Sequence, residues 1–89
     1  MPKREIKIIN KLGLHARAAA KFVALAAQYQ CDIHLHRGER TVNGKSIMGL
    51  MMLAAGRDAD LIVEAEGEDA EAALDALEGL INERFHEGE

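Results

Sequence analysis

Four stretches of the chain alternate between apolar and polar residues, which is the pattern of half-buried β-strands. These are residues 4–9, 32–36, 40–42 and 60–66. The two middle stretches are separated only by Arg-Gly-Glu at 37–39, and this sequence favours a tight turn. The pattern therefore predicts four strands, of which the middle two form a hairpin.

Three further stretches repeat apolar residues at the 3.6-residue period of a helix. The first and last predicted helices cover about residues 16–29 and 69–84. The second follows Ser46 over residues 47–53, because a serine hydroxyl is a favoured N-cap. We expect Gly56 to end this helix, since glycine accepts the left-handed backbone of a helix end.

The predicted order of elements is β-α-β-β-α-β-α, without an internal repeat or linker. Strands with one apolar face and helices with one apolar stripe pack as two layers. We therefore expect a single domain over residues 1–89, of the α+β class. It is an open-faced sandwich in which three helices cover one face of a four-stranded, mainly antiparallel sheet. The polar side chains of the strands leave the other face to water.

The net charge of −4 conceals a strong asymmetry along the chain. Residues 1–57 carry ten basic and three acidic side chains, whereas residues 58–89 carry one basic and twelve acidic ones. No acid occurs in residues 7–31 or 40–57, so an anion or an acidic partner can approach there. The overall negative charge argues against general nucleic-acid binding.

Cysteine content and apolar runs favour a cytoplasmic protein. Cys31 is the only cysteine, which excludes an internal disulfide, and no apolar signal segment follows Met1. No apolar run is long enough to span a bilayer, so we expect no membrane insertion.

The segment Gly13-Leu14-His15-Ala16-Arg17 puts an imidazole directly before the first turn of the first predicted helix. Free backbone N–H groups and the helix dipole favour an anion at that end. Arg17 can donate a charge-assisted hydrogen bond to phosphate oxygens, and a neutral ring nitrogen can attack phosphorus. The alternative is that His15 only caps the helix or lies exposed.

Two segments resemble the HPr phosphocarrier family of the bacterial phosphoenolpyruvate-dependent phosphotransferase system. They are Asn-Lys-Leu-Gly-Leu-His-Ala-Arg at 10–17 and Asn-Gly-Lys-Ser-Ile-Met-Gly-Leu-Met-Met-Leu at 43–53, within a resemblance over essentially the whole chain. It implies that His15 is phosphorylated on Nδ1 and that Arg17 steadies the phosphoryl group. Enzyme I is then the donor and a IIA-type domain the acceptor, for a monomeric carrier without a cofactor. Ala18 stands where the family usually has proline. Because proline pre-sets the backbone angle φ at a helix start, we expect its replacement by alanine to loosen that start slightly.

Ser46 has two compatible interpretations. As an N-cap it contributes about 1 kcal/mol. The resemblance also implies phosphorylation of this position by an ATP-dependent kinase in some bacteria, with a phosphatase to reverse it. A dianion is well tolerated at a helix N-terminus, so regulation remains open beside capping.

The second predicted helix is more apolar than one buried face requires. Leu50 and Leu53 can face the core, which leaves other side chains pointing outward beside the first helix. The predicted docking residues are Ala20, Lys21, Ala24, Ala27, Lys45, Ile47, Met48 and Met51. Methionine repacks easily, so the patch suits transient docking of several partners, and the family binds its partners on these two helices.

Two other function classes compete with a carrier. One is a regulatory paralogue that controls nitrogen or carbon metabolism by binding proteins; the opening of the first motif resembles that branch, while the Ser46 motif fits the sugar branch equally well. The other is a hydrolase using His15 and Ser46, which is disfavoured because the sequence offers no orienting acid and no enclosed pocket. We expect no metal site at His34, His36 and Cys31, because a fourth ligand is missing.

Overall fold

A computed structural model of the chain describes residues 2–87 and has one four-stranded sheet. The strands are β1 (Lys3–Lys7), β2 (Asp32–Arg37), β3 (Arg40–Asn43) and β4 (Asp60–Glu66). The sheet order is β1-β4-β2-β3, and all three neighbouring pairs are antiparallel. This confirms the predicted open-faced α+β sandwich. The predicted domain span also includes residues 1, 88 and 89, which lie outside the described part.

Three helices supply the second layer. They are α1 (Ala16–Ala26), α2 (Ile47–Met52) and α3 (Ala70–Asn82), and a short 3₁₀ turn (Arg84–His86) follows α3. Alternate strand residues and the apolar helix stripes form one core, because each layer buries only one side. The large, fully buried side chains include Phe22, Ile33, Leu35, Leu50, Val63, Leu77 and Phe85. The first and last helices end three and two residues earlier than predicted.

The end of α2 differs from the sequence prediction. Gly56 does not end the helix; Leu53 is the C-cap and Ala54 takes the left-handed conformation, with φ of 52°. Arg37 Nη1 donates to the carbonyls of Leu53 (2.8 Å) and Ala54 (3.0 Å). A cation at a helix C-terminus satisfies carbonyls that have no partner within the helix. Arg40 Nη1 also donates to Met52 O at 2.7 Å. Two arginines of the β2–β3 hairpin therefore close α2, and no glycine is needed.

Asp69 ties the start of α3 to the start of β2. It is the N-cap residue of α3, yet its side chain makes no capping bond there. Its carboxylate instead accepts from the backbone N–H groups of Gln30 (2.8 Å) and Cys31 (2.9 Å). The bond from Gln30 makes the largest contribution to lowering the pKa of Asp69. Burial raises the pKa of the neighbouring Cys31 thiol, as suits a packed apolar side chain.

Candidate functional site at the start of the first helix

His15 is the N-cap residue of α1. Its backbone is extended, with φ of −79° and ψ of 178°, and its carbonyl accepts the first helical hydrogen bond from Ala19 N at 2.8 Å. Its side chain makes no capping bond and is 25% exposed. The backbone of His15 therefore begins the helix, while its ring is available for other contacts beside the unpaired N–H groups of the first turn. A purely capping role for the side chain is wrong.

The loop that leads to His15 packs on the segment after α2. Gly13 has a φ of 69°, and Leu14 N donates to Ala55 O at 2.8 Å. A Cβ atom on Gly13 would lie 2.6 Å from Ala55 O and 2.7 Å from Gly56 Cα. Glycine is needed here both for the backbone conformation and for the space. This contact sets the path along which the chain approaches the helix.

An acid that the sequence did not reveal lies against the imidazole. His15 Nε2 contacts Glu87 Oε2, and the second carboxylate oxygen, Oε1, accepts from Asn10 Nδ2 at 3.0 Å. The Glu87 side chain is only 11% exposed. Burial by itself raises the pKa of Glu87, but the hydrogen bonds from Asn10 and His15 outweigh it and the net pKa is lowered. Glu87 is therefore ionised at neutral pH, and it is an acid beside His15 that the sequence did not offer.

Asn10 fixes the position of that carboxylate. Its side chain is fully buried, and Nδ2 also donates to Gly13 O at 2.7 Å. Both neighbours of Nδ2 are acceptors, so the orientation of the amide follows from the chemistry of its partners. One buried side chain thus connects the loop before α1 with the C-terminal acid.

A left-handed turn brings Glu87 to this position. Arg84, Phe85 and His86 have φ values of 57°, 54° and 62°, and none of them is glycine. Each such residue costs about 1–2 kcal/mol in backbone sterics. Complete burial of Phe85, and a 2.6 Å hydrogen bond from Lys21 Nζ to its carbonyl, hold the turn in place.

No local pattern predicts that turn, because glycine is absent from it. The contact between His15 and Glu87 joins residues 72 positions apart. The only signal available was the charge asymmetry, an acid-free first helix and an acid-rich C-terminal third. It suggests attraction between the two regions but does not identify the acid.

Arg17 lies exposed on the surface near the contact. With Glu87 and its neighbours it lines a depression of about 300 Å³. The other lining residues are Lys11, Leu12, Lys21 and His86. The side chains that surround the acid are therefore mostly cationic, which suits an incoming anion.

The hydroxyl of Ser46 caps α2, as the sequence predicts. Ser46 Oγ accepts from Gly49 N at 3.0 Å, and its backbone is extended, with φ of −122°. The side chain is partly exposed. The capping interpretation is thereby confirmed.

The predicted docking residues lie at the surface of α1 and α2, two helices that pack together. Ile47, Met48 and Met51 are 42%, 72% and 44% exposed. The three alanines in this set are also exposed: Ala20 and Ala24 in α1, and its C-cap residue Ala27. The sequence missed three other exposed apolar side chains: Leu12 (67%), Met52 (68%) and Ile62 of β4 (38%).

The two lysines of the predicted set are half-buried and bonded to backbone carbonyls. Lys21 Nζ donates to Phe85 O at 2.6 Å, and Lys45 Nζ donates to Tyr29 O at 2.7 Å. Their charges are therefore held close to the protein surface at the rim of the patch.

The histidines of the open sheet face do not form a metal centre. Within residues 2–87 no group of three or more His, Cys, Asp or Glu side chains could hold a metal ion. His34 is exposed, whereas His36 makes two hydrogen bonds, to Thr41 Oγ1 at 2.8 Å and to Glu64 Oε1 at 3.0 Å. None of the helices in the same part of the chain has the length and apolar content to cross a bilayer.

Comparison with known proteins gives a consistent result. A family model described as the phosphorylation site of the HPr component of the phosphotransferase system matches residues 2–83. The phosphocarrier protein HPr of Pseudomonas aeruginosa is 59% identical over 90 residues, covering 100% of both chains. The phosphocarrier protein NPr of Shewanella violacea is 41% identical over 85 residues, 96% of this chain and 93% of its own.

Solved structures agree with these relatives. A crystal structure of HPr from Thermoanaerobacter tengcongensis superposes with a TM-score of 0.94 at 42% identity, covering 98% of each chain. A crystal structure of an HPr dimer from the same organism has a TM-score of 0.77 at 42% identity, covering 96% of this chain and 98% of its own. Because a dimer occurs among the relatives, the expected monomer stays a prediction.

Proposed function

Because the chain belongs to the HPr family of phosphocarrier proteins of the phosphotransferase system, we propose that His15 is its phosphoacceptor. The protein is a carrier rather than an enzyme, and membership implies partners that donate and accept the phosphoryl group. In the proposed reaction the lone pair of Nδ1 attacks the phosphorus of the donor. The bond between phosphorus and the donor breaks as the new N–P bond forms, and a second transfer returns His15 to its free state.

The observation that carries this proposal is the position of the imidazole before α1. The ring makes no capping bond, is partly exposed, and lies next to N–H groups that can bind phosphoryl oxygens. Arg17 lies exposed two residues further on, and we assign it to stabilising the charge of the phosphoryl group. Phosphoryl transfer depends mainly on positioning of the reacting groups and on charge stabilisation in the transition state, rather than on an enclosed pocket.

The test is phosphoryl acceptance from phosphoenolpyruvate and enzyme I, measured as acid-labile phosphate. His15→Ala should abolish acceptance and keep the fold, because the ring lies at the surface of a helix start. Arg17→Ala should slow transfer and leave thermal stability unchanged. Undiminished acceptance by a folded His15→Ala protein would contradict the assignment of His15, and a wild-type rate in Arg17→Ala would remove Arg17 from the site.

We assign partner docking to the exposed patch of α1 and α2. Its apolar centre is Ile47, Met48 and Met51, bordered by the alanines of α1. Exposed methionines next to a cationic rim suit partners with acidic and apolar docking faces, as enzyme I and IIA-type domains would need to have. Met48→Lys should weaken docking of both partners, and unchanged affinity for both would contradict this surface.

Ser46 is proposed as a second modification site, for a kinase and a phosphatase. Its partly exposed hydroxyl caps α2 beside the docking patch. A phosphate of roughly −1.5 to −2 charge there would repel an acidic partner. Incubation with ATP and extract of the host, followed by mass spectrometry of Ser46, tests whether the modification occurs.

The sugar branch of the system is the better assignment, with the regulatory branch as the second candidate. The HPr relative is 59% identical and the NPr relative 41% identical. The rate of transfer to a IIA domain of a sugar permease, compared with a regulatory IIA domain, discriminates the two. Faster transfer to the regulatory domain would favour the second candidate.

We propose that the protein acts in the cytoplasm as a monomer. The single cysteine, Cys31, is free and buried, which suits a reducing compartment. Light scattering of the purified protein over a range of concentrations tests the oligomeric state, and a stable dimer would overturn that part of the proposal.

A further inference from the structure

We propose that Glu87 is a positioning residue for His15: its carboxylate accepts the Nε2 proton and so keeps Nδ1 as the unprotonated, nucleophilic ring nitrogen. The inference rests on the proposed function of His15 and deepens it. It assigns a role to a C-terminal residue that lies outside the two motifs of the sequence and beyond residue 83, where the family match ends.

The geometry of the carboxylate carries the argument. An ionised carboxylate has only acceptor oxygens, so the ring nitrogen in contact with Glu87 Oε2 must carry the proton. In the neutral ring the other nitrogen then has the free lone pair. The same logic holds for catalytic histidines whose orientation and tautomer are set by a buried acid.

The site around Glu87 is built to hold this arrangement. Asn10 Nδ2 donates to Glu87 Oε1 and is itself held by Gly13 O, at 3.0 and 2.7 Å. Buried Phe85 and the bond from Lys21 to its carbonyl anchor the left-handed turn just before the acid. The carboxylate is thus fixed from two sides, and it can orient the imidazole and determine where its proton lies.

Because Asn10 places a fixed N–H donor beside residue 87, the effect of Glu87→Gln on the ring proton of His15 can be predicted. In Glu87→Gln the side-chain oxygen must still face Asn10 Nδ2, so the new NH₂ group faces His15 Nε2. A donor at that position turns Nε2 into an acceptor and moves the ring proton to Nδ1. Glu87→Ala, by contrast, only releases the ring and leaves both tautomers accessible. Glu87→Gln, although closer in shape to the wild type, should therefore accept the phosphoryl group more slowly than Glu87→Ala.

The experiment combines ¹⁵N NMR of the His15 ring, at a pH where it is neutral, with the rate of phosphoryl acceptance at saturating enzyme I. The wild type should show a protonated Nε2, Glu87→Gln a protonated Nδ1, and Glu87→Ala a mixture. A carboxylate that orients a metal-bound histidine typically contributes about 10- to 100-fold to activity. By analogy we expect the rate to fall about tenfold for Glu87→Ala and further for Glu87→Gln. Affinity for enzyme I should change little.

Glu83→Gln is the matched control, because it removes the same charge from an exposed acid that pairs with His86 instead of His15. It should keep the wild-type rate and tautomer. The proposal is overturned if Glu87→Gln transfers as fast as Glu87→Ala, or if the tautomer of His15 is the same in all variants. A wild type that accepts no phosphoryl group would contradict the proposed function, while the NMR measurement would still decide the role of Glu87.

Discussion

Replacing Gly13 by alanine adds a methyl group where the chain has no room for one. The backbone there has a φ of 69°, and the new Cβ would lie 2.6 Å from Ala55 O and 2.7 Å from Gly56 Cα. The left-handed conformation costs alanine about 1–2 kcal/mol. Contact with two backbone atoms forces the loops apart, and overpacking of this kind costs about 1–3 kcal/mol more. We therefore expect a loss of about 2–5 kcal/mol in the free energy of unfolding.

Gly38, in the β2–β3 turn, provides the matched control. It has a similar φ of 59°, but a Cβ there would meet nothing within 4 Å. Gly38→Ala should lose only about 1–2 kcal/mol in the free energy of unfolding, which is the cost of the left-handed backbone conformation for alanine. In a domain of this size the difference of about 1–3 kcal/mol corresponds to a melting temperature lower by about 4–24 °C for Gly13→Ala than for Gly38→Ala.

Urea denaturation followed by circular dichroism measures both free energies. Gly13→Ala should also slow phosphoryl acceptance, because a displaced loop moves His15 relative to Glu87 and Arg17. Gly38→Ala should not, since its turn lies in the hairpin away from the helix start. Equal losses of stability in the two variants would refute the idea that the close approach at Gly13 matters.

Three further predictions concern the ends of helices. Ser46→Ala should lose about 1 kcal/mol in the free energy of unfolding and bind enzyme I with normal affinity. Ser46→Asp should keep the cap but bind enzyme I more weakly in calorimetry, because it adds negative charge. Equal affinities of the two variants would leave Ser46 with a capping role only. The lowered pKa of Asp69 means that its ionised form stabilises the fold above the pKa of the unfolded chain, and that this contribution is lost as pH falls through the folded-state pKa. The stability difference between wild type and Asp69→Asn should therefore be full at neutral pH and shrink in acid, and a constant difference would contradict the assignment. Arg37→Gln should lower the free energy of unfolding by about 1 kcal/mol, because it removes one of the two arginines that donate to the last carbonyls of α2. Arg37→Lys should be intermediate in chemical denaturation. No loss in either variant would show that α2 does not depend on Arg37 for its cap.

The sequence alone predicted the class of the fold and much of the candidate site. Strand alternation and helical periodicity are local properties, so they located all seven elements to within a few residues. His15, Arg17 and Ser46 are candidates for a related reason. A helix start is defined by neighbouring residues, and both motifs lie at helix starts.

Only the tertiary structure decided what surrounds those residues. Glu87 reaches His15 through a left-handed turn that contains no glycine and so leaves no signal in the sequence. The two residues are 72 positions apart. The same holds for Arg37, which replaces Gly56 in closing α2 from a neighbouring hairpin. Such contacts depend on how the two layers pack, and on buried side chains such as Phe85 that fix the path of the chain. A pattern of neighbouring residues records which side chains are apolar, but it does not record which distant groups the packed core brings within hydrogen-bond distance.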